Sequence, residues 1–201
     1  MHSKQNHFAK ILVLSLGIIT SAVIAETVYS PLSPVDYSLT ANQVAIMTYK
    51  DSVAKMDLVN IESKQVTRLN PANSTYAYFF EYVINPSTNK LLLISHNRTT
   101  QYPIQQMDLS SKQWSVFESD TSFKQSLTAS GETTAWIAYG SKTTEVFLKT
   151  GSSSPTQITR DNLLKQQVTT NGPYLAWVEY SKTGIGNIIL YTISNQTQKT
   201  V

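Results

Sequence analysis

One short unit recurs along this chain and constrains its fold more than any other feature. Its clearest copy is Ala-Trp-Val-Glu-Tyr at residues 176–180, and it returns as Ala-Trp-Ile-Ala-Tyr at residues 135–139 and as Ala-Ile-Met-Thr-Tyr at residues 45–49. The two clearest copies start 41 positions apart, and the gap before them leaves room for a fourth copy, which we place at residues 91–95. A period of about 40 to 50 residues with several short strands per repeat is typical of bladed all-β architectures.

Each repeat also ends in a second shared pattern, in which a strand, a polar turn and another strand follow one another. Copies lie at residues 56–69, 105–117 and 189–201, and each closes on an apolar residue, namely Leu69, Phe117 and Val201. This pattern resembles the TolB-like family of bacterial β-propellers over about residues 37–201. The resemblance implies blade construction and carries no activity with it. The Asp and Gly usual in that turn of the family are mostly Ser, Asn and Gln here.

The repeats predict an all-β chain, a β-propeller-like array of about four four-stranded blades that forms a complete ring, an open arc that dimerises, or a partial propeller. The units are expected at about residues 37–72, 73–119, 120–161 and 162–201. No stretch shows a sustained helical period of apolar residues. Because a four-stranded meander cannot bury both of its faces alone, successive sheets have to stack face to face.

The first 25 residues predict a secretory signal peptide. Lys4 and Lys10 precede the apolar run 11–19, and small residues lead to Ala25, after which we expect cleavage. A retained membrane anchor is the alternative, but a spanning helix needs about 20 apolar residues and the uncharged stretch at residues 11–25 is shorter. The protein is therefore expected to be exported, either periplasmic or secreted. Residues 26–36 hold two prolines and predict a connecting arm.

The charge of the exported chain gives little support to two classes of partner. The whole chain has a net charge of +3, but the leader takes Lys4 and Lys10 with it, so one net positive charge remains. No cluster of Lys and Arg follows, which argues against nucleic acid or an anionic membrane surface as a partner. Because the chain has no Cys, it forms no disulfides and depends on an apolar core and strand ladders.

Aromatic residues recur at one position of the repeat, and packing explains them better than ligand binding. Trp136 and Trp177 follow the alanine of the repeated unit, and Tyr139 and Tyr180 end it. Stacking on a sugar or a peptide is the alternative, but aromatics at one repeat position are typical of a buried face. In an open arc of sheets, we expect one aromatic face, carrying either Trp177 or its counterpart in the first repeat, to be uncovered and to support self-association.

One histidine, His96, follows the leader, and there is no Cys, so the sequence predicts neither a metal site nor a cofactor. His96 comes just after a predicted strand, at the position that we align with Lys50 and Ser181. No Gly-x-Ser-x-Gly elbow accompanies it. We therefore interpret His96 as a loop residue rather than a catalytic base.

Carboxylates for glycoside hydrolysis are available in principle at Glu81, Glu179, Asp51 and Asp161, but their spacing supplies no pair. Glu179 lies within the repeated strand, where a buried carboxylate needs a reason to be retained. No residue is assigned a catalytic role. The candidates for binding are Glu81, His96 and Glu179.

A repeated scaffold without a catalytic constellation favours a binding role, carried by loops at one end of the repeats. The sequence therefore predicts an exported, non-enzymatic binding or scaffold protein that uses a β-propeller surface to contact a protein or a glycan of the envelope or the extracellular space. The alternative is a carbohydrate-active enzyme of propeller form, in which Glu179 and Glu81 would be the working carboxylates.

Overall fold

The computed structural model describes residues 35–39, 42–50, 53–69, 76–97, 101–140 and 143–201. The expected signal peptide, Asp51 and all but the last two residues of the expected arm lie outside the described residues. The chain divides into two compact units, residues 1–70 and 71–201. In the part of the chain that the structure describes, no helix has the length and apolar character needed to cross a membrane.

The first unit contains one antiparallel sheet of four strands, which we call sheet 1. Its strands are β1 (Val35–Leu39), β2 (Gln43–Lys50), β3 (Val53–Asn60) and β4 (Val66–Arg68). Alternate residues of β2 and β3 point to opposite sides, and both faces are buried, with Ala45, Met47, Met56 and Leu58 on one and Val44, Ile46 and Val59 on the other. Strand β1 begins at Val35, within the last two residues of the expected arm.

The second unit contains three antiparallel sheets, each a meander of four consecutive strands. Sheet 2 comprises β5 (Tyr76–Asn85), β6 (Lys90–Asn97), β7 (Ile104–Asp108) and β8 (Trp114–Glu118). Sheet 3 comprises β9 (Lys124–Ser130), β10 (Thr133–Tyr139), β11 (Thr144–Thr150) and β12 (Thr156–Gln157). Sheet 4 comprises β13 (Leu164–Thr170), β14 (Tyr174–Tyr180), β15 (Gly186–Thr192) and β16 (Thr197–Thr200). Together with sheet 1 they confirm the predicted all-β class of four-stranded sheets.

Sheets 2, 3 and 4 stack face to face, with their first strands β5, β9 and β13 side by side. Between sheets 2 and 3, an aliphatic face packs against an aromatic one, with Leu92, Ile94 and Ile104 against Trp136 and Ala138. Between sheets 3 and 4 the arrangement recurs, with Ala135, Ile137, Val146 and Leu148 against Leu175, Trp177, Ile189 and Tyr191. Each interface therefore joins the aliphatic face of one sheet to the aromatic face of the next.

The two repeated tryptophans lie in these interfaces. Trp136 and Trp177 are each 1% exposed, which confirms the prediction that they pack in the core. Of the two faces expected to be uncovered, that of Trp177 is wrong, because this face of sheet 4 packs against sheet 3. Neighbouring residues of a strand point to opposite sides, so Ala176 and Val178 lie on the side of sheet 4 that faces away from sheet 3.

The alignment of β6 with the other copies differs by one residue from the alignment based on sequence. Leu92 packs against Trp136 as Ala135 packs against Trp177, so Leu92 rather than Leu91 matches the repeated alanine. The apolar run around Leu92 hides the alternation that would have set the register. A slip of one residue exchanges the two faces of a strand.

The hairpin turns at one end of these sheets fasten neighbouring sheets together. Asn85 Nδ2 in sheet 2 donates to the carbonyl of Gly131 in sheet 3 at 2.7 Å, and Thr133 Oγ1 in sheet 3 donates to the carbonyl of Gly172 in sheet 4 at 3.0 Å. The two glycines have φ of 57° and 62°, which side chains disfavour. Glycine thus permits each turn and presents its carbonyl to the preceding sheet.

Candidate functional site

Two buried lysines, Lys124 and Lys165, stand at one position of successive repeats, 41 residues apart. Each follows an aspartate by four residues, Asp120 in one case and Asp161 in the other. In both copies the aspartate Oδ1 accepts the amide hydrogen two residues further on, at 2.9 Å, as aspartate does in tight turns. The lysine binds back onto this turn. We call the segment the Asp–Lys loop.

Lys124 satisfies its three N–H donors within its own loop. Its Nζ donates to the carbonyl of Asp120 at 2.6 Å, to Asp120 Oδ1 at 3.1 Å and to the carbonyl of Ser122 at 3.1 Å. Burial lowers the pKa of Lys124, and the carboxylate of Asp120 opposes that shift. The lysine therefore holds the shape of the loop and keeps no donor for a ligand.

Lys165 is fully buried and faces three carboxylates, a group that we call the lysine cluster. Its Nζ binds Asp161 Oδ1 and the carbonyl of Leu163, the latter at 2.8 Å. It also lies 3.7 Å from Glu145 Oε2 and 3.8 Å from Glu179 Oε2. Burial lowers the pKa of Lys165, and the carboxylates of Glu145 and Glu179 oppose that shift.

One position of the repeat explains why the two loops differ. The strand register places Glu179 opposite Lys165 in sheet 4, but Ala138 opposite Lys124 in sheet 3. The remaining carboxylate comes from the neighbouring sheet, because Glu145 pairs with Ala138 across β10 and β11. The cluster is therefore assembled from two sheets, and only part of it follows from the repeat.

Two threonines tie the lysine cluster to sheet 3. Thr159 Oγ1 donates to Glu145 Oε2 and accepts the amide hydrogen of Val146 at 3.0 Å. Thr144 Oγ1 donates to the carbonyl of Lys165 at 2.9 Å and accepts its amide hydrogen at 2.6 Å. Because each buried hydroxyl both donates and accepts, the network rigidly connects sheets 3 and 4.

A cavity of about 430 Å³ opens beside the first Asp–Lys loop, and we call it the acidic cavity. Its charged lining groups are Glu118, Asp120, Glu145 and Lys124, and its rings are Trp136, Tyr139 and Phe147. Three carboxylates outnumber one buried ammonium, so the cavity carries negative charge. Tyr139 is 46% exposed and the side chain of Asp120 is 58% exposed, which makes these two groups accessible to a ligand.

Asp120 is ionised at neutral pH. Burial raises its pKa, but the hydrogen bonds from Ser122 and Lys124 outweigh burial, and the pKa lies below its ordinary value of 3.8. Glu118 Oε1 in turn accepts the amide hydrogen of Asp120 at 2.8 Å. The rim of the cavity is thus an ordered array of acceptors.

A row of aromatic rings runs from sheet 2 to the acidic cavity. His96 stacks on Tyr102 with 4.7 Å between ring centroids, Tyr102 meets Phe123 edge-on at 5.0 Å, and Phe123 meets Tyr139 edge-on at 5.2 Å. With β6 shifted by one residue, His96 corresponds to Tyr139, not to the loop positions expected from sequence. We call these four rings the aromatic row.

Glu81 has a structural contact of its own, since its Oε2 accepts the amide hydrogen of Leu127 at 2.8 Å. Leu127 lies in a bulge of β9, where the ladder to β10 is interrupted and Ser126 has a φ of 54°. A backbone amide in a bulge needs a partner outside the ladder. The three sequence candidates thus have separate settings: Glu81 at the bulge, His96 in the aromatic row and Glu179 in the lysine cluster.

Alignment of the second strands alone overlooks the residues that build this site. The Asp-x-x-x-Lys spacing repeats after 41 residues, so aligning the first strands would have revealed Lys124 and Lys165. Glu145 has no such signal, because the ammonium that it faces, that of Lys165, belongs to another sheet. Within the described residues, no group of three or more His, Asp or Glu side chains is arranged to hold a metal ion.

Comparison with known proteins identifies the fold but no family. No protein-family model matches the sequence, and no curated protein matches it. Among solved structures, TolB from Acinetobacter baumannii matches with a TM-score of 0.64 at 14% identity, over 84% of this chain and 43% of that chain. Oligopeptidase B from Leishmania major matches with a TM-score of 0.69 at 10% identity, over 86% of this chain and 27% of that chain.

The fold is that of a β-propeller. An oligogalacturonate lyase from Vibrio parahaemolyticus shares it, with a TM-score of 0.63 at 13% identity, over 78% of this chain and 50% of that chain. The expected resemblance to TolB-like propellers is confirmed at the level of the fold, and the four sheets fit a partial propeller. The chain spans half or less of the length of each of these three structures.

Proposed function

We propose that this chain is an exported, non-enzymatic binding protein whose acidic cavity and aromatic row hold a basic segment of another protein of the envelope or the extracellular space. The observation that carries the proposal is the lining of the acidic cavity, where three carboxylates and an exposed tyrosine surround about 430 Å³. The leader predicted at residues 1–25 supports export.

The charge of the acidic cavity selects the class of ligand. The single ammonium in its lining, that of Lys124, is already bound by three oxygen atoms. An arginine or lysine side chain of a partner would pair with Asp120 and lie on the ring of Tyr139, which combines a charge-assisted hydrogen bond with a cation–π contact. The same carboxylates repel acidic polymers, which favours a basic polypeptide.

The alternative, a carbohydrate-active enzyme, draws no support from the carboxylates expected to serve it. Glycoside hydrolysis requires two carboxyl groups that flank the sugar, roughly 5 to 10 Å apart. Glu81 Oε2 instead binds the amide of Leu127, and Glu179 Oε2 faces the buried ammonium of Lys165. Both oxygens serve contacts that hold sheets in place.

Fluorescence anisotropy with short labelled peptides tests the proposal. A peptide of alternating arginine and glycine should bind at low salt and more weakly at high salt, because exposed charges are screened, whereas a peptide of alternating glutamate and glycine should not bind. Tyr139→Ser and Glu118→Gln should each weaken binding. Glu132→Gln, at an exposed glutamate in the turn between β9 and β10, is the matched control and should bind as the wild type does.

The outcomes are distinct. Arginine-peptide binding that is equal in Tyr139→Ser, Glu118→Gln and the wild type would overturn the site. A neutral oligosaccharide that binds the wild type but not Tyr139→Ser, with no binding of the arginine peptide, would replace the protein ligand by a glycan. Hydrolysis of an oligosaccharide that is lost in Glu179→Gln would restore the enzymatic alternative.

A further inference from the structure

A second cavity, of about 530 Å³, is lined by residues of sheets 2 and 3 beside their hairpin turns, and we call it the basic cavity. Its charged lining groups are Lys90, Lys149 and Glu132. None of the ion pairs formed among the described residues includes either lysine. Two ammonium groups outnumber one carboxylate, so this cavity carries positive charge, whereas the acidic cavity carries negative charge.

Lys149 is the lysine of the basic cavity that is best placed to bind an anion. Its Nζ donates to the carbonyl of Phe117 at 2.8 Å and lies 4.2 Å from the centroid of the Phe117 ring. These contacts fix the ammonium but use one of its three N–H donors, so two donors remain for an anion. Lys90 lies opposite Asp108 across β6 and β7, so a neighbouring carboxylate already offsets part of its charge.

Strand β11 runs from the basic cavity to the acidic cavity. Lys149 lines the basic cavity, and Phe147 and Glu145 line the acidic cavity. Alternate residues of a strand point to the same side, and Phe147 packs in the interface with sheet 2. The side of sheet 3 that faces sheet 2 therefore carries an ammonium and a carboxylate. The two groups are four residues apart, which is about 13 Å along the strand.

Strand β8 of sheet 2 lines both cavities as well. Phe117 lines the basic cavity, and Glu118 lines the acidic cavity. The register of β7 and β8 shifts between Ile104 and Gln105, which places Glu118 opposite Ile104. Directly opposite residues share one face of a sheet, and Ile104 packs against sheet 3. Glu118 therefore lies on the side that faces sheet 3, so both sheets present carboxylates at the same end of the gap between them.

We propose that the basic segment held by the acidic cavity also carries a carboxylate, four residues from its basic side chain, and that Lys149 binds this carboxylate. This inference rests on the proposed function and narrows the class of partner. In an extended segment, side chains four residues apart point to the same side and lie about 13 Å apart, as Lys149 and Glu145 do. Ammonium and carboxylate form a charge-assisted hydrogen bond. A segment that is basic at both positions is disfavoured, because Lys149 repels the second cation.

Fluorescence anisotropy with labelled seven-residue peptides tests this inference. The Arg–Glu peptide carries one arginine and one glutamate four positions apart among serines, in either order, and the Arg–Gln peptide has glutamine in place of glutamate. In the better order, the wild type should bind the Arg–Glu peptide about fivefold more tightly, as expected for an accessible ion pair of good geometry. A peptide with arginine and glutamate adjacent should lose this gain, because its two charges cannot reach both cavities.

Variants of the protein identify the group that binds the glutamate. Lys149→Gln should bind the Arg–Glu and Arg–Gln peptides equally. Lys182→Gln is the matched control, because it removes the same charge from an exposed lysine in the turn between β14 and β15, and it should keep the gain. Circular dichroism and urea midpoints check that both variants fold.

Competition on the wild type covers the case in which Lys149→Gln fails to fold. Sodium acetate should weaken binding of the Arg–Glu peptide more than sodium chloride at the same concentration does. The two salts should affect the Arg–Gln peptide equally. An Arg–Glu peptide that responds equally to the two salts would count against Lys149 as a carboxylate site.

The outcomes separate this inference from the proposed function. Equal binding of the two peptides by the wild type in both orders overturns the inference, and the proposed function stands if Tyr139→Ser still weakens both. A gain that survives Lys149→Gln, or that Lys182→Gln also removes, overturns the inference too. Acetate that raises the urea midpoint of the wild type but not of Lys149→Gln, with equal binding of the two peptides, would make the ligand a free carboxylate. A gain that Lys149→Gln removes and Tyr139→Ser leaves unchanged would overturn the acidic cavity instead.

Discussion

Replacing Lys165 with methionine should destabilise the second unit by about 3 kcal/mol, because it leaves buried carboxylates without their cation. Lys165 is fully buried, and the side chains of Glu145 and Glu179 are only 10% and 17% exposed, so water replaces the ammonium only in part. The side chain of Asp161 is 40% exposed and is hydrated once the ammonium is gone, so it adds little to the loss of stability. The expected loss is therefore at the lower end of the range of about 3 to 5 kcal/mol for breaking a buried pair.

The repeat supplies a matched control in Lys124→Met. Lys124 is equally buried and stands at the same position of the repeat, but the one carboxylate that pairs with it, that of Asp120, is largely exposed. Loss of the Lys124 ammonium removes hydrogen bonds to carbonyls and leaves no buried charge, which should cost about 1 to 2 kcal/mol of stability. The difference between the two variants isolates the contribution of Glu145 and Glu179.

Urea unfolding followed by tryptophan fluorescence measures this difference. The three tryptophans, Trp114, Trp136 and Trp177, all lie in the second unit, so the signal reports on that unit. With a slope of about 2 kcal/mol per molar urea, a loss of 3 kcal/mol lowers the midpoint by about 1.5 M and a loss of 1 kcal/mol by about 0.5 M. These two shifts are easily separated.

Equal losses in Lys165→Met and Lys124→Met would refute the argument from the carboxylates. A second test adds Glu179→Ala to Lys165→Met, which gives sheet 4 the residue that sheet 3 has at that position, Ala138. Removing one of the two carboxylates that have lost their cation should recover part of the stability. If the double variant is no more stable than Lys165→Met, the cost has another origin.

Three further predictions concern single contacts. Because the pKa of Asp120 lies below 3.8, its contribution to stability is present above that pH and is lost as the pH falls through the folded-state pKa; Asp120→Asn should flatten the acid limb of a plot of urea midpoint against pH. Glu81→Ala should cost about 1 to 3 kcal/mol in urea unfolding, because the amide of Leu127 loses its acceptor, whereas Glu81→Gln keeps one and should cost less. Gly131→Ala should lower stability by about 1 kcal/mol from its positive φ alone, since nothing lies within 4 Å of an added Cβ, and Gly131→Asn should cost less. An unchanged acid limb, equal losses in the two Glu81 variants, or a harmless Gly131→Ala would contradict the respective contact.

Much of the fold could be read from the sequence because the repeat and its turn formers mark where strands begin and end. The repeated alanine at Ala135 and Ala176 does lie in matching strands, and both tryptophans are buried. The two wrong predictions concern the side of the sheet to which a strand's residues point. Around Leu92 every residue is apolar, so alternation gives no register, and for Trp177 the sequence does not show which face meets the neighbouring sheet.

The candidate site was less accessible to sequence reasoning, because it depends on contacts between repeats. Glu179 drew attention as a carboxylate within a repeated strand, and its partner Lys165 lies opposite it in the register. Glu145 reaches the same ammonium from another sheet, a contact that no spacing predicts. Tyr139 shares its repeat position with Tyr180, so the periodicity predicted that both rings pack, whereas Tyr139 is 46% exposed.

The hairpin-turn contacts have a consequence for how the gaps between sheets respond to strain. Sheets 3 and 4 are joined at the turn end by the hydrogen bond from Thr133 to Gly172 and at the opposite end by the ionic contacts of the lysine cluster. Sheets 2 and 3 are pinned at the turn end by Asn85 and Gly131, and rings meet at the other end. Ring contacts are individually weaker than a buried ion pair, so we expect the end of sheets 2 and 3 beside the acidic cavity to be held less firmly than the matching end of sheets 3 and 4.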